Sequence, residues 1–460
     1  MSGATAYDDR HMSDFEGLLW TLDGDPRLSS TIANLTLLDR RPDEARLIRR
    51  LGSAAASVPR LRQRVVPSPG GLAPPSWVDV ADFDVRDHVR RLDLGKRVGR
   101  RALLDATMAA VAEPFDRDRP LWEFVLVDHL ADGGAGLLLR IHHTLTDGQG
   151  GLRISRHYID LERDAPDPDP VPMPVAAPAA TGVTDGIGRL ARRQVDLARR
   201  RVADVADLFV HPDELWRRSL DGASALRSAV SQAGIGDHWL SPLWTERSLD
   251  RRLDVLDISL DETVTVAHAL GVTVNDVFVT GALAAAGDYH RRKGVPTDDL
   301  RVAMPVSTRT GEVAGGNMFS PTQTTLPAGE MSQQERVAAV HEALRATKGA
   351  QAISLVESLA GTLNLLPHQL LVWAGARAAG SVDFVTSNLR ASRRDVYLAG
   401  ARMEKNYPVG PLAGTAFNIT TMSYRGLLCM GVVTDTAAID DPKLLRRCLE
   451  RSYRELLALT

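Results

Sequence analysis

Short apolar runs alternate along the chain with stretches in which hydrophobic residues recur every three or four positions. Phe124-Val125-Leu126-Val127 and Leu137-Leu138-Leu139-Arg140-Ile141 have the apolar, β-like character of buried strands. Helical patterns flank them, which predicts an α/β or α+β architecture. The alternation resumes downstream with strand-like Leu253 to Ile258 and a helix-like stretch from Asp261 to Leu270. Between Asp164 and Asp185 the chain reads Ala-Pro-Asp-Pro-Asp-Pro-Val-Pro-Met-Pro followed by small residues, a composition that favours extended, solvated chain. After it, Ala191, Val195, Ala198, Val202, Val205 and Phe209 mark an apolar helical face, with Arg192, Arg193, Arg199, Arg200 and Arg201 falling largely between them. Such a helix suits either docking on anionic lipid or a solvated crossover between lobes. The pattern thus predicts a loose extension over 1–11, a first lobe over 12–164, a linker with crossover helices over 165–249 and a second lobe over 250–460.

Composition narrows the class. The chain has 460 residues, 44% hydrophobic and 25% charged, near the globular average, so wholesale disorder and a polytopic membrane protein are excluded. Basic and acidic residues number 55 and 58, which leaves no global basic field to gather nucleic acid. Cys429 and Cys448 are the only cysteines and form no Cys-x-x-Cys pair, so a zinc framework is not expected and a reducing compartment is. The first twenty residues carry four acidic side chains and no apolar leader core, which makes the cytoplasm the expected address.

Several familiar active sites are missing from the sequence. There is no Gly-x-Ser-x-Gly elbow, no Gly-x-Gly-x-x-Gly and no Walker loop, and His341-Glu342 lacks the second histidine of a zincin helix. The segment that stands apart is Ile141-His142-His143-Thr144-Leu145-Thr146-Asp147-Gly148-Gln149-Gly150-Gly151, an apolar strand running into two histidines and then a glycine-rich bend. On a strand, His142 and His143 point to opposite faces, so one enters a cleft while the other packs behind it. A neutral histidine is suited to take a proton from a hydroxyl near neutral pH. Asp147, across the turn, is placed to anchor the loop. Trp122, Asn275 and Asp276 each admit two roles: Trp122 as a core aromatic or a substrate contact, and the Asn-Asp pair as a helix N-cap or part of a site.

His-His-x-x-x-Asp-Gly is the signature of the coenzyme A-dependent acyltransferase superfamily, and flanking segments narrow it. Pro59 to Arg64, Asp82 to Val89, Pro120-Leu121-Trp122, Asn275-Asp276, Met304-Pro305-Val306-Ser307-Thr308-Arg309 with Gly316-Asn317, and Pro408-Val409-Gly410-Pro411-Leu412 with Asn418 and Ser423-Tyr424-Arg425-Gly426 follow in order. Together they resemble the bacterial wax ester synthase/diacylglycerol acyltransferase family from about Met12 to the last helix. The resemblance implies two chloramphenicol-acetyltransferase-like lobes with mixed sheets flanked by helices and a substrate tunnel between them. It implies His143 as general base, with His142, Asp147 and Gly148 beside it, and Pro120, Leu121, Trp122, Asn275 and Asp276 as substrate-binding residues. Acyl-CoA is then a substrate, the acceptor is a long-chain alcohol or diacylglycerol, and no cofactor or metal is required. An insoluble product also implies peripheral contact with a membrane or lipid droplet. The chain departs from the family pattern at Gly17 to Arg27, at Ser241 to Arg247 and after Ser387-Asn388. Two rival functions fit the same fold: a tailoring acyltransferase fed by an acyl carrier protein, and a lipid-binding protein without turnover.

Overall fold

The computed structural model describes residues 10–68, 74–169, 171–174, 239–307, 319–349, 372 and 380–459. The arginine-rich helix expected over 191–209, and Thr308, Arg309, Gly316 and Asn317, lie outside the described residues. Strands are β1 (Thr31–Leu38), β2 (Gln63–Val66), β3 (Ser76–Asp79), β4 (Val89–Arg91), β5 (Trp122–Val127), β6 (Ala135–His142), β7 (Arg251–Ser259), β8 (Asp299–Ser307), β9 (Phe319–Pro327), β10 (Phe384–Arg390), β11 (Tyr397–Leu398), β12 (Ala401–Val409), β13 (Phe417–Tyr424) and β14 (Leu427–Asp435). Helices are α1 (Asp14–Leu22), α2 (Glu44–Ser57), α3 (Arg100–Ala112), α4 (Gly148–Ser155), α5 (Leu260–Ala269), α6 (Val274–Arg292), α7 (Gln333–Gly349) and α8 (Pro442–Leu457). The apolar runs read from the sequence lie within β5, β6 and β7, and the Asp261–Leu270 pattern within one residue of α5.

Two six-stranded mixed sheets organise these elements, in the orders β11-β12-β1-β6-β5-β4 and β7-β14-β13-β10-β8-β9. Each has its own apolar core. Leu47, Leu51, Phe124, Leu126 and Leu137 belong to the first, and Phe278, Leu283, Phe384, Phe417 and Leu449 to the second. A third cluster bridges them, in which Leu103, Leu104 and Met108 of α3 meet Leu253 and Val255 of β7 and Tyr407 and Val409 of β12. Arg101 reaches Asp254 at 3.1 Å across the same junction.

The chain order of the two lobes is crossed once. β12 comes from the C-terminal half yet pairs antiparallel with β1, so Leu35 faces Leu138 of β6 on one side and Tyr407 of β12 on the other. The second lobe read from the sequence as 250–460 therefore lends residues 397–409 to the first sheet. Periodicity cannot reveal this, because the pattern of a strand says which of its faces is buried and not which sheet it joins. The chain returns immediately as β13, whose Tyr424 hydroxyl donates to Met403 O at 2.9 Å and accepts from Val396 N–H at 3.2 Å. Cys429, set in the apolar run Leu427-Leu428-Cys429-Met430, is a buried residue of β14, and Cys448 is a buried residue of the final helix, α8.

No single helix among the described residues is long and apolar enough to cross a membrane, and α5 and α6, taken as a pair, are bent by 100°. β12 crosses β14 so closely that a Cβ on Gly431 would stand 1.9 Å from Pro408 O. Gly431→Ala must push the two strands apart, at an expected cost of about 1–3 kcal/mol. Chemical denaturation measures it, and an unchanged midpoint would show that β12 has room over β14.

Candidate active site

The histidine pair stands where β6 ends. Thr31 of β1 is still paired with His142, but the next residue has left the sheet. His143 is therefore the first residue of the turn that follows the strand, and strand geometry alone does not set how the two rings stand to each other. His142 is buried, at 2% exposure, and His143 is half-buried. The turn is made locally, with Leu145 N–H donating to His142 O at 3.0 Å and Thr144 N–H to His142 Nδ1 at 3.2 Å. The His143 N–H donates to Ser30 O at 2.9 Å, tying the turn to the entrance of β1.

Asp147 then starts α4. Its carboxylate accepts the Gly150 N–H at 2.7 Å and its carbonyl accepts the Gly151 N–H at 2.8 Å, the geometry of an N-cap. Glycine is required at 150 by space, since a Cβ there would lie 2.0 Å from Thr146 Oγ1. Gly148, the first residue of the helix, faces Leu389 of β10, whose Cδ2 would stand 2.8 Å from a Cβ at that position. The start of the helix that follows the His143 turn thus meets a side chain of the other lobe.

The remaining residues expected at the site divide. Pro120, Leu121 and Trp122 are buried. Leu121 O accepts the His142 N–H at 2.9 Å, so this segment clamps the strand end that precedes the turn. Trp122, which the sequence left open between core aromatic and substrate contact, packs in the core. It is 2% exposed, its indole N–H donates to Leu61 O at 2.7 Å, and the His88 ring stacks on it at 4.4 Å. Burial also holds the His88 pKa below its ordinary value. Asp276 is likewise internal: Thr273, not Asn275, is the N-cap of α6, and Asp276 Oδ2 accepts the Thr273 N–H at 2.8 Å in a capping box. The same oxygen lies 2.8 Å from His341 Nδ1, which gives the His341-Glu342 pair a structural use. Asn275 Oδ1 accepts from Asn388 Nδ2 at 3.3 Å. Asn388 and Leu389 are adjacent on β10 and so point to opposite faces, which puts the Asn275 and Gly148 contacts on opposite sides of that strand.

Sequence reasoning missed Asp23, Ser30, His88 and Leu389, whose partners stand far away along the chain. The one local hint was Leu22-Asp23-Gly24-Asp25-Pro26, which reads as a helix end followed by a turn. A groove of about 550 Å³ between β7 and α8, lined by Leu256, Ile258, Glu262 and Leu457, lies at the far edge of the second sheet, three strands from β10. Among the described residues no His, Cys, Asp and Glu side chains gather in a metal-binding group.

Removing the Asp147 cap should be felt in both the fold and the site. Asp147→Ala is expected to lose about 0.5–2 kcal/mol of stability together with activity, and Asp147→Asn, which can still cap, to keep most of the stability. Thermal melting and turnover read the two effects, and full stability in Asp147→Ala would show that the cap is not what holds the loop.

Comparison with known proteins places the chain. A family model for the wax ester synthase/diacylglycerol acyltransferase catalytic domain matches residues 20–278, and one for the C-terminal domain of that family matches residues 315–457. A putative diacylglycerol O-acyltransferase of Mycobacterium tuberculosis is 33% identical over 446 residues, covering 95% of this chain and 89% of the relative. A probable diacylglycerol O-acyltransferase of the same species is 26% identical over 465 residues, covering 96% and 95%. Among solved structures, the wax ester synthase/diacylglycerol acyltransferase of Marinobacter aquaeolei VT8 superposes with a TM-score of 0.64 at 20% identity, covering 97% of this chain and 98% of that one. The first condensation domain of the calcium-dependent antibiotic synthetase gives 0.60 at 20% identity, covering 99% and 97%. Those two similarities speak to the fold, the two-lobed chloramphenicol-acetyltransferase-like arrangement of mixed sheets and helices. With its catalytic and C-terminal domains both matched, the chain belongs to the wax ester synthase/diacylglycerol acyltransferase family.

Proposed function

We propose that this protein transfers a fatty acyl group from coenzyme A to the hydroxyl of a long-chain alcohol or diacylglycerol, giving a wax ester or triacylglycerol, with His143 as general base. The observation that carries the reading is the His143 turn. His143 is half-buried, its backbone is pinned to Ser30, and the turn leads into a capped helix whose first residue, Gly148, is faced by Leu389 of the other lobe. In this reading His143 takes the acceptor's hydroxyl proton and the oxygen attacks the thioester carbonyl. The tetrahedral oxyanion then collapses with expulsion of the coenzyme A thiolate, which recovers the proton. The Gly148 N–H, in the first turn of α4 where no helical carbonyl is available, suits the oxyanion. Asn275 suits it less well, because its contact to β10 is on the other side of that strand. A covalent acyl-cysteine finds no support: both thiols are buried, and burial pushes Cys429 up to about 12 and Cys448 to about 11.

Incubation with acyl-CoA and a panel of long-chain alcohols and diacylglycerol, with free thiol as the readout, tests the proposal. Acceptor-dependent thiol release is expected, and its absence with every acceptor would sink the reading. Transfer from an acyl carrier instead would favour a tailoring acyltransferase. His143→Ala should lower turnover by roughly 10²- to 10⁴-fold with the fold intact, and His142→Ala should lose less. Equal losses, or a His143→Ala enzyme close to the parent, would remove His143 from the role of base.

The insoluble product further suggests that the protein works at a lipid surface, and Arg192, Arg193, Arg199, Arg200 and Arg201 are the residues suited to hold it there. Each basic side chain near an anionic leaflet is worth about 1 kcal/mol. Co-sedimentation with anionic vesicles at low salt, lost on replacing the five arginines with glutamine, is the expected result. Equal binding by parent and variant would rule this segment out.

A further inference from the structure

One carboxylate stands behind the histidine pair on contacts that hold the backbone on both sides of His143. Asp23, the residue that ends α1, accepts the Ser30 N–H on Oδ1 at 3.1 Å, and Ser30 O in turn accepts the His143 N–H at 2.9 Å. The same Oδ1 lies 3.4 Å from His142 Nε2. That separation is long for a hydrogen bond and makes the contact a charge–dipole one. The far side of the His142 ring fixes its proton. Thr144 N–H donates to Nδ1 at 3.2 Å and the Thr144 hydroxyl oxygen lies 2.8 Å away, so Nδ1 is the acceptor and Nε2 carries hydrogen toward Asp23. Trp20 and Phe115 pack edge-on against the ring at 5.9 and 6.4 Å and leave it little freedom.

We infer that Asp23 is a positioning residue for acyl transfer: it holds His142 in the Nε2–H tautomer and Ser30 in place, and through Thr144 and Ser30 these two fix the turn that presents His143. The inference rests on His143 as the base. Burial works to raise the Asp23 pKa. The contacts with His142, the Ser30 N–H and the Arg117 guanidinium 3.3 Å away outweigh it and leave the carboxyl below its ordinary value, so the charge is kept near neutral pH. Arg117 is itself held over the Trp20 ring at 4.3 Å. The device is a closed ring of contacts: Asp23 to Ser30 to His143 on one arm, Asp23 to His142 to Thr144 on the other.

The test pairs kinetics with the ring nitrogens of His142 read by ¹⁵N NMR in the full-length protein. Asp23→Ala is expected to lower kcat by about 10- to 100-fold with KM nearly unchanged, as misplacement of a catalytic group does. The His142 signal should pass from a single Nε2–H tautomer to a mixture, and Asp23→Asn, which keeps an acceptor oxygen, should restore most of both. Asp23→Ser, whose hydroxyl can take the Ser30 N–H but is too short for the imidazole, carries the same expectation as Asp23→Ala should that variant fail to fold. Parental kcat in Asp23→Ala or Asp23→Ser, or a loss of kcat with the His142 tautomer unchanged, would overturn the inference. Failure of the base reading is a separate result, turnover by His143→Ala, and the NMR signal is read without turnover.

Discussion

Pairing of β12 with β1 is the constraint on which the two-lobed arrangement depends. Strands β11 and β12 from the C-terminal half complete the N-terminal sheet, so that sheet is not built from its own half of the chain alone. The crossing is enforced where it leaves and where it returns. Before β12, Val396 N–H is held by the Tyr424 hydroxyl, and after it Asn418 Nδ2 donates to Pro411 O at 2.9 Å. Between them Tyr407 O–H donates to Asp257 of β7 at 3.0 Å, and Lys405 pairs with the same carboxylate. The motif residues near the C-terminus, Pro408 to Pro411, Asn418 and Tyr424, thus serve mainly to bind one lobe to the other.

Once the lobes are locked, β10 becomes the meeting line of the site. Its Leu389 covers the first residue of α4, and its Asn388 bonds the first turn of α6. Both helices begin on their own caps, Asp147 and Thr273, so the sequence places their N-termini independently of the lobe contact. What the contact adds is the relation between them. A shift of β10 by one residue would exchange the faces of Leu389 and Asn388 and break both contacts together.

Much of this was legible in the sequence and the rest was not, for identifiable reasons. The strands β5, β6 and β7 announce themselves by apolar runs, and the His142 to Gly151 segment by an unusual combination of residue types. The Asp147 cap and the Asp276 capping box lie within a few residues of their partners, and local hydrogen bonds of that kind leave a trace in residue order. Trp122 stayed open in the sequence because an aromatic beside a motif can serve a core as well as a pocket, and its packing shows only in the His88 stack and the Leu61 carbonyl. The contacts that Asp23 and Leu389 make at the site carried no trace, although Leu22 to Pro26 reads as a helix end and turn. Asp23 reaches His142 over more than a hundred residues and Leu389 reaches Gly148 over more than two hundred, and no periodicity encodes such a pairing. The transfer of β12 between sheets was invisible for the same reason.

A second serine and histidine show why contact geometry alone does not make an active site. Ser241 Oγ and His290 Nε2 are 2.7 Å apart, and His290 Nδ1 donates to Ala286 O at 2.8 Å, which leaves Nε2 as the acceptor a general base would need. Asp383 is nearby, but its carboxylate takes the N–H groups of Leu240, Ser241 and Arg301 and does not touch the imidazole. Ser241, His290 and Asp383 are all at most 1% exposed, the Trp244 ring lies 4.4 Å from the imidazole, and burial lowers the His290 pKa. The Ser241 hydroxyl also accepts the N–H groups of Leu243 and Trp244, so its lone pairs are engaged in a turn. That cluster pins the chain as it enters the second lobe. His143 differs in being half-buried, in a turn fastened through its backbone N–H to Ser30 O and through the Thr144 N–H to the His142 ring.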